Sequence, residues 1–409
     1  MPFGSLAVVL IAVGALIHAP ALLVMGLVLA VVEVLRGLWH RRGLVGVRYE
    51  RTLGAKSAVW GDEIPLHLTI WNRKILPLAW ITVDDHVTQG ATIRERPVSD
   101  SEVIGMGVVR NGWTLGPYER VIRELHIVAD RRGRYRFGPV HLKAADLFAG
   151  GSTSEERPMP DAYLVVPRSV PLHGDRTRFK ASTGERPAAG FLEDPALFAG
   201  LRPYEPGDPM RRIHWKAAAR TGQIRSKRFD SSRERELLIA LDIQTLPGEH
   251  WRMLYDEDLV EALCVAASSV ARAAIISGAA CGLVAAAYSE SPQWQLRLAP
   301  ARGPGQFLRI GESLARISPY ASGPFEVLLA SLPRWLSRPA TVISISARDP
   351  EPYLVALRRL RAQGLLVRHV AIGPDARAAR DRVARVGVPA QVGRLAPDWQ
   401  TSDALELAG

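Results

Sequence analysis

From Leu6 to Val32 nearly every position is apolar, and His18 is the only strongly polar side chain in the run. An uncharged stretch of that length is the pattern of a bilayer-crossing segment rather than of a core helix. As one helix it would measure about 40 Å, more than the roughly 30 Å hydrocarbon core requires. Near its middle stand His18, Ala19 and Pro20, and a proline removes a helical hydrogen bond and biases the preceding residue away from helix. The pattern therefore predicts a transmembrane anchor within residues 1–40 made of two short helices in a hairpin, with one tilted, kinked span as the alternative. The first residues carry no Lys or Arg, and the apolar run exceeds that of a secretion signal, so a retained anchor is expected.

Past the anchor the apolar period shortens to two. The segments EIPLHLTIWN (63–72), LAWITVDD (78–85), VIRELHIVA (121–129) and RYRFGPVHLKAAD (134–146) alternate and are separated by Asn, Gly, Pro and Asp. Residues 44–168 are expected to form an antiparallel β-sandwich of immunoglobulin-like size, with the basic RRGRYRFGP stretch as a charge-protected edge strand. A Pro-, Gly- and charge-rich connector spans 169–235. From 236 to 409 the pattern changes again, to the apolar strands ELLIALD, CGLVAAAY, ATVISIS and LLVRHVAIG alternating with amphipathic helical stretches. Continuous apolar strands with intervening helices predict an α/β domain whose mainly parallel sheet carries helices on both faces. Functional groups in such sheets collect at the carboxyl ends of the strands, here Asp242 and the later SARDP loop, Ser346 to Pro350.

Charge adds direction. The 409 residues carry a formal net charge of +11, which favours an anionic partner. Arg36, His40, Arg41 and Arg42 follow the anchor, and the positive-inside rule assigns such a cluster, and the chain after it, to the cytoplasmic face. Cys264 and Cys281 lie in apolar stretches without metal-type spacing and are expected as reduced core residues. There is no G-x-S-x-G elbow, Walker loop or H-E-x-x-H pair. GPGQF, Gly303 to Phe307, is read as a turn and helix start.

One stretch departs from all this. LRPYEPGDPMRRIHWKAAARTGQIRSKRFD, Leu201 to Asp230, carries seven Lys or Arg residues between Arg211 and Arg228 and no acid among them. Asp208 reads as an N-cap with Pro209 in the first turn, giving a helix to about Arg220 with Gly222 beyond it. On that helix Arg212, Lys216 and Arg220 form a cationic stripe, and Met210, Ile213 and Ala217 an apolar one that docks on the fold. Ile213 and Trp215 are expected to pack inside, Trp215 between the domains. The cationic stripe either meets an acidic partner or pairs with Glu205, Asp230 or Glu234.

The arrangement resembles the bacterial membrane protein family known as domain of unknown function 58. The resemblance is carried by Arg202, Tyr204, Pro206, Gly207, Asp208, Arg212, Ile213, Trp215, Lys216, Ala219 and Arg220. It implies an inner-membrane protein with a C-terminal domain similar to von Willebrand factor type A, of the kind associated with MoxR-like AAA+ ATPases in protein assembly or remodelling. That domain type usually has a D-x-S-x-S loop whose oxygens hold Mg²⁺ or Mn²⁺. Here Asp242 is kept, Gln244 and Leu246 stand where serines are expected, and Asp349 is a candidate from the SARDP loop. The expectation is a degenerate metal site at Asp242, Gln244 and Asp349, and no cofactor. The function implied is a cytoplasm-facing, membrane-anchored protein-binding scaffold or adaptor. Its partner surface would be Arg202, Asp208, Arg212, Lys216 and Arg220, meeting a MoxR-like ATPase or another acidic protein, and not nucleic acid. The alternative is an uncharacterised metal-dependent hydrolase using Asp242.

Overall fold

Pro20 does break the N-terminal apolar run into two helices, α1 (Pro2–Leu16) and α2 (Pro20–Arg42), in the computed structural model of the chain. The structure describes residues 2–145, 152–174, 198–204, 210, 213–229, 236–248, 254–289, 295–334, 336, 340–395 and 399–408. His18 turns the chain in the left-handed region, φ 54°. The two helices lie against each other through glycines: a Cβ on Gly26 would stand 2.6 Å from Ile11 Cγ1, and one on Gly14 2.9 Å from the Leu23 backbone nitrogen. Small residues at such points let helix backbones approach in an apolar medium.

The chain divides into two units, residues 1–167 and 168–409. In the first, α2 leads into strands β1 (Val47–Leu53), β2 (Ser57–Val59), β3 (Glu63–Asn72), β4 (Leu78–Thr88), β5 (Thr92–Ile93), β6 (Ser99–Asp100), β7 (Met106–Leu115), β8 (Arg120–Val128), β9 (Gly133–Ala145), β10 (Ser152–Arg157) and β11 (Asp161–Val166). They form two sheets, ordered β1-β3-β8-β5 and β2-β11-β9-β4-β7-β6, with β10 paired on β9. Alternation decides which side chains enter the core. Ile64, Leu66, Leu68 and Ile70 of β3 are buried and share one apolar cluster with Ile81, Val83 and Val87 of β4 and Val140 and Leu142 of β9. Tyr49 and Arg51, from one sheet, both reach the buried carboxylate of Asp85 in the other.

The second unit contains β12 (Leu172–Gly174), β13 (Phe198–Pro203), α3 (Trp215–Thr221), β14 (Arg225–Phe229), β15 (Glu236–Leu241), α4 (Glu257–Ile276), β16 (Ala280–Ala285) and β17 (Leu296–Ala301). It continues with α5 (Pro304–Arg316), α6 (Phe325–Ser331), β18 (Ala340–Ser346), α7 (Leu354–Ala362), β19 (Leu366–Ala371), α8 (Ala376–Arg385), β20 (Ala390–Arg394) and β21 (Leu405–Ala408). The main sheet is mixed, ordered β12-β21-β20-β19-β18-β15-β16-β17. Its centre, β16-β15-β18-β19-β20, is parallel, while β17 and β21 run antiparallel to their neighbours. Leu237, Ile239 and Leu241 pack on one face with Val260, Leu263 and Val270 of α4. Leu238 and Ala240 pack on the other with Leu328 of α6 and Leu357 of α7. Helices thus cover both faces, as the uninterrupted apolar strands require.

Two helices, α2 and α4, are long and apolar enough to cross a membrane. They differ in what surrounds them. The most apolar window of α4 is 67% buried within its unit, whereas that of α2 is 6% buried.

Candidate functional site

Strand β15 lies between β16 and β18, so the chain leaves it first toward one side of the sheet and later returns on the other. The carboxyl ends of β15 and β18 therefore frame the kind of crevice in which α/β sheets place their functional groups. Asp242 follows β15 directly. Its backbone N–H donates to the Ile345 carbonyl at 2.9 Å, which ties it to β18. The side chain is buried, 2% exposed, and fully engaged. Oδ2 accepts from Ser346 Oγ at 3.0 Å and from Arg348 Nε at 2.7 Å, and Oδ1 accepts from the Gln244 N–H at 3.3 Å. The Arg348 guanidinium also lies 3.6 Å from Glu326 and 5.4 Å from the centre of the Tyr353 ring.

Burial raises the Asp242 carboxyl above its ordinary value, against the lowering by Arg348, Ser346 and the Gln244 N–H. Burial likewise works against the charge on Arg348, but attraction to Asp242 outweighs it and holds the guanidinium above its ordinary value. The cluster is thus a neutralised ion pair at the strand ends.

A divalent cation does not fit this donor set. Gln244 turns its amide nitrogen to the Leu246 and Gly248 carbonyls, at 3.2 and 2.6 Å. Leu246 supplies no side-chain oxygen. Asp349, the third expected ligand, is half exposed and paired with Arg382 instead, and its Oδ1 accepts from the Glu351 N–H at 3.1 Å. Ser346 spends its hydroxyl hydrogen on Asp242, and the position beside that carboxylate is held by Arg348. Of the three expected residues, Asp242 and Gln244 come together and Asp349 does not. Ser346 and Arg348 lie in the SARDP loop expected to carry functional groups, but neither was assigned a role, and Glu326 and Tyr353 carry no sequence signal for this site. Period-two reading carried past the end of β18 places Ser346 and Arg348, but not Asp349, on the side of Asp242.

The basic stretch forms a small module of its own. β13 and β14 pair as a separate two-stranded sheet in which Arg202 lies opposite Ser226. The expected helix from Asp208 to Arg220 is corrected: α3 begins only at Trp215, after Ile213 bridges to Ser226 as an extended residue. His214 is the N-cap, its Nδ1 accepting from the Ala217 N–H at 3.0 Å, and Gly222 ends the helix in the left-handed region at φ 68°. Asp208 and Arg212, with Glu205, Asp230 and Glu234, lie outside the described residues. Lys216 and Arg220 are exposed and one turn apart on α3. Ile213 is buried as expected, and Met210 is 71% and Trp215 60% exposed.

Residues 200–373, from this module to the end of the β19 strand and the loop after it, match the family model described as "Protein of unknown function DUF58". The uncharacterized protein YeaD of Bacillus subtilis (strain 168) is 21% identical over 226 residues, 54% of this chain and 52% of the relative, so the chain spans about half the length of the curated relative it matches. Among solved structures, the CARDB domain of a Pyrococcus furiosus protein is 11% identical with a TM-score of 0.21, covering 29% of this chain and 91% of that one. The sporulation control protein Spo0M of Bacillus subtilis is 16% identical with a TM-score of 0.18, covering 29% of this chain and 49% of that one.

Proposed function

We propose that the chain is a membrane-anchored, cytoplasm-facing scaffold that recruits an acidic protein partner. In this reading α1 and α2 form a transmembrane hairpin, the two sheets of the first unit are a β-sandwich at the bilayer surface, and the second unit is a von Willebrand factor A-like domain. The partner surface is centred on Lys216 and Arg220, and the partner is of the MoxR-like AAA+ ATPase class.

The observation that carries the reading is the pairing of a solvent-facing basic helix with a silent strand-end site. Lys216 and Arg220 stand exposed on the same short helix as a 60% exposed Trp215, and Trp and Arg are enriched where proteins bind one another. The carboxylate that a metal-dependent hydrolase would use is neutralised by Arg348 at 2.7 Å, so the hydrolase alternative loses its key group. Affinity capture from solubilised membranes tests the proposal. The native chain is expected to retain an ATPase that the Lys216→Gln, Arg220→Gln variant does not, and equal retention by both removes α3 from the function.

A further inference from the structure

We propose that two loops beside the end of α2 form a second membrane contact, seated in the headgroup layer of an anionic bilayer. The inference rests on the reading of α2 as a transmembrane helix and deepens it. The β3–β4 loop, residues 73–77, is fastened to the last turn of that helix. Trp39 Nε1 donates to the Pro77 carbonyl at 3.0 Å, Lys74 Nζ to the Gly43 carbonyl at 2.8 Å, and the Arg73 N–H to the Gly46 carbonyl at 2.9 Å. The β7–β8 loop, residues 116–119, is fastened to the first loop in turn. The Asn72 side-chain amide donates to both Leu76 and Gly116 carbonyls, at 2.9 and 2.8 Å, and the Tyr118 N–H donates to the Lys74 carbonyl at 3.2 Å.

These bonds fix both loops level with residues 39–46. The uncharged part of α2 ends at Glu33 and Arg36, and the six helical residues after Arg36 advance about 9 Å. That distance is comparable to the interfacial layer flanking the hydrocarbon core. What the loops present there suits that layer. Ile75 is 75% exposed, Tyr118 65% and Val45 63%. Tyr118 holds φ 55°, a conformation rare for a bulky side chain. Exposed Arg41, Arg42, Arg73 and Arg120 flank these positions along the chain. The acid within these loops, Glu119, takes the Gly116 N–H on its Oε2 at 2.5 Å. Aromatic and apolar tips flanked by arginine are the composition of a membrane interface, with attraction to anionic headgroups.

The test uses the full chain reconstituted in vesicles of phosphatidylglycerol and phosphatidylethanolamine, with an environment-sensitive fluorophore on one introduced cysteine. The native Cys264 and Cys281 are buried, and burial pushes the Cys281 thiol up to about 12, so neither competes for label. Val28→Cys reports the middle of α2. Ile104→Cys reports a fully exposed site next to the start of β7, whose other end adjoins the second loop, roughly 30 Å away along the strand. Expected is a blue-shifted emission at Ile75→Cys, quenched by lipid brominated near the headgroup more than Ile104→Cys is, with the shift lost in phosphatidylcholine vesicles. Quenching at Val28→Cys with none at Ile75→Cys beyond the Ile104→Cys level overturns the second contact and leaves the anchor standing. Absence of quenching at Val28→Cys overturns the anchor, and the second contact with it. An equal shift in phosphatidylcholine overturns the anionic preference.

Discussion

At the residue scale, the decisive contacts in the second unit are between charges that the fold has taken out of water. Removing one member of a buried ion pair leaves the other uncompensated, which typically costs about 3–5 kcal/mol, while replacing both is often neutral. Arg348→Met is therefore expected to lower the urea midpoint of the second unit strongly, and Arg348→Met with Asp242→Asn to restore most of it. The single variant should also carry a pH signature. Without Arg348 the folded-state carboxyl rises further above its unfolded value, so stability is retained at low pH and lost as pH rises through the folded value. Millimolar Mg²⁺ is expected to leave the native midpoint unchanged, and a magnesium-dependent rise that disappears in Asp242→Asn would refute the mismatch argued for the donor set.

His369 gives a second test, of opposite sign. Buried at 1% exposure with Nδ1 2.8 Å from Ser344 Oγ, it is pushed down by burial to about 3. The unfolded chain binds its proton near pH 6.5 and the folded chain does not until about pH 3. Its share of stability is thus complete above pH 6.5 and falls as pH drops between those values, by at most about 1.4 kcal/mol per pH unit. His369→Gln should flatten that slope in unfolding curves recorded across the window. None of this was legible in the sequence, because His369 sits inside the apolar run LVRHVA and only the register of β19 on β18 brings it to Ser344. Asp242 was legible from its place at a strand end. Arg348 was not, since a metal reading of the loop singles out the neighbouring carboxylate of Asp349, which the period-two geometry points the other way to Arg382.

Among elements, the long apolar runs and regular alternations were the most readable, and short elements held by tertiary contacts the least. ATVISIS and EIPLHLTIWN coincide with β18 and β3 residue for residue. The strands β17, β20 and β21, toward the two margins of the sheet, are short, and LRLAPA and AQVGR contain Pro or Gly and polar positions, so their pairing is set by the neighbouring strand and not by local preference. The start of α3 was misplaced for a similar reason: the bridge from Ile213 to Ser226 outweighs a good local capping sequence. The pairing of α1 and α2 is testable at its tightest point. Gly26→Leu forces side-chain volume into a 2.6 Å gap against Ile11, and such overpacking typically costs about 1–3 kcal/mol. A cysteine pair at Gly4→Cys and Glu33→Cys, positions that face each other across the two helices, is expected to form a disulfide on oxidation, and to form it far less once Gly26→Leu is added.

For the whole molecule, layering followed from the switch in apolar period, and the orientation of the chain is the property that charge alone proposes. Arg36, Arg41 and Arg42 lie in the last seven residues of α2, while residues 2–35 contain no Lys or Arg. Translocating such a cluster is disfavoured, so the end of α2 and everything after it is expected in the cytoplasm. A hairpin adds a second condition, that the N-terminus lies on the same side. Fusion of a reporter active only in the cytoplasm after Gly409 should therefore work, and so should the same reporter placed before Met1, whereas a periplasm-dependent reporter should be silent at both ends. The two ends separate the possibilities: a single kinked span would give opposite results at Met1 and Gly409, and periplasmic activity at both would invert the orientation. Arg36→Glu, Arg41→Glu and Arg42→Glu together should shift part of the population to the inverted form if the cluster sets the topology, because the adjoining loops then lose the positive bias that retains them. Reporter activity at Gly409 that is indifferent to all three substitutions would mean that the folded units, and not these arginines, hold the chain on its side of the bilayer.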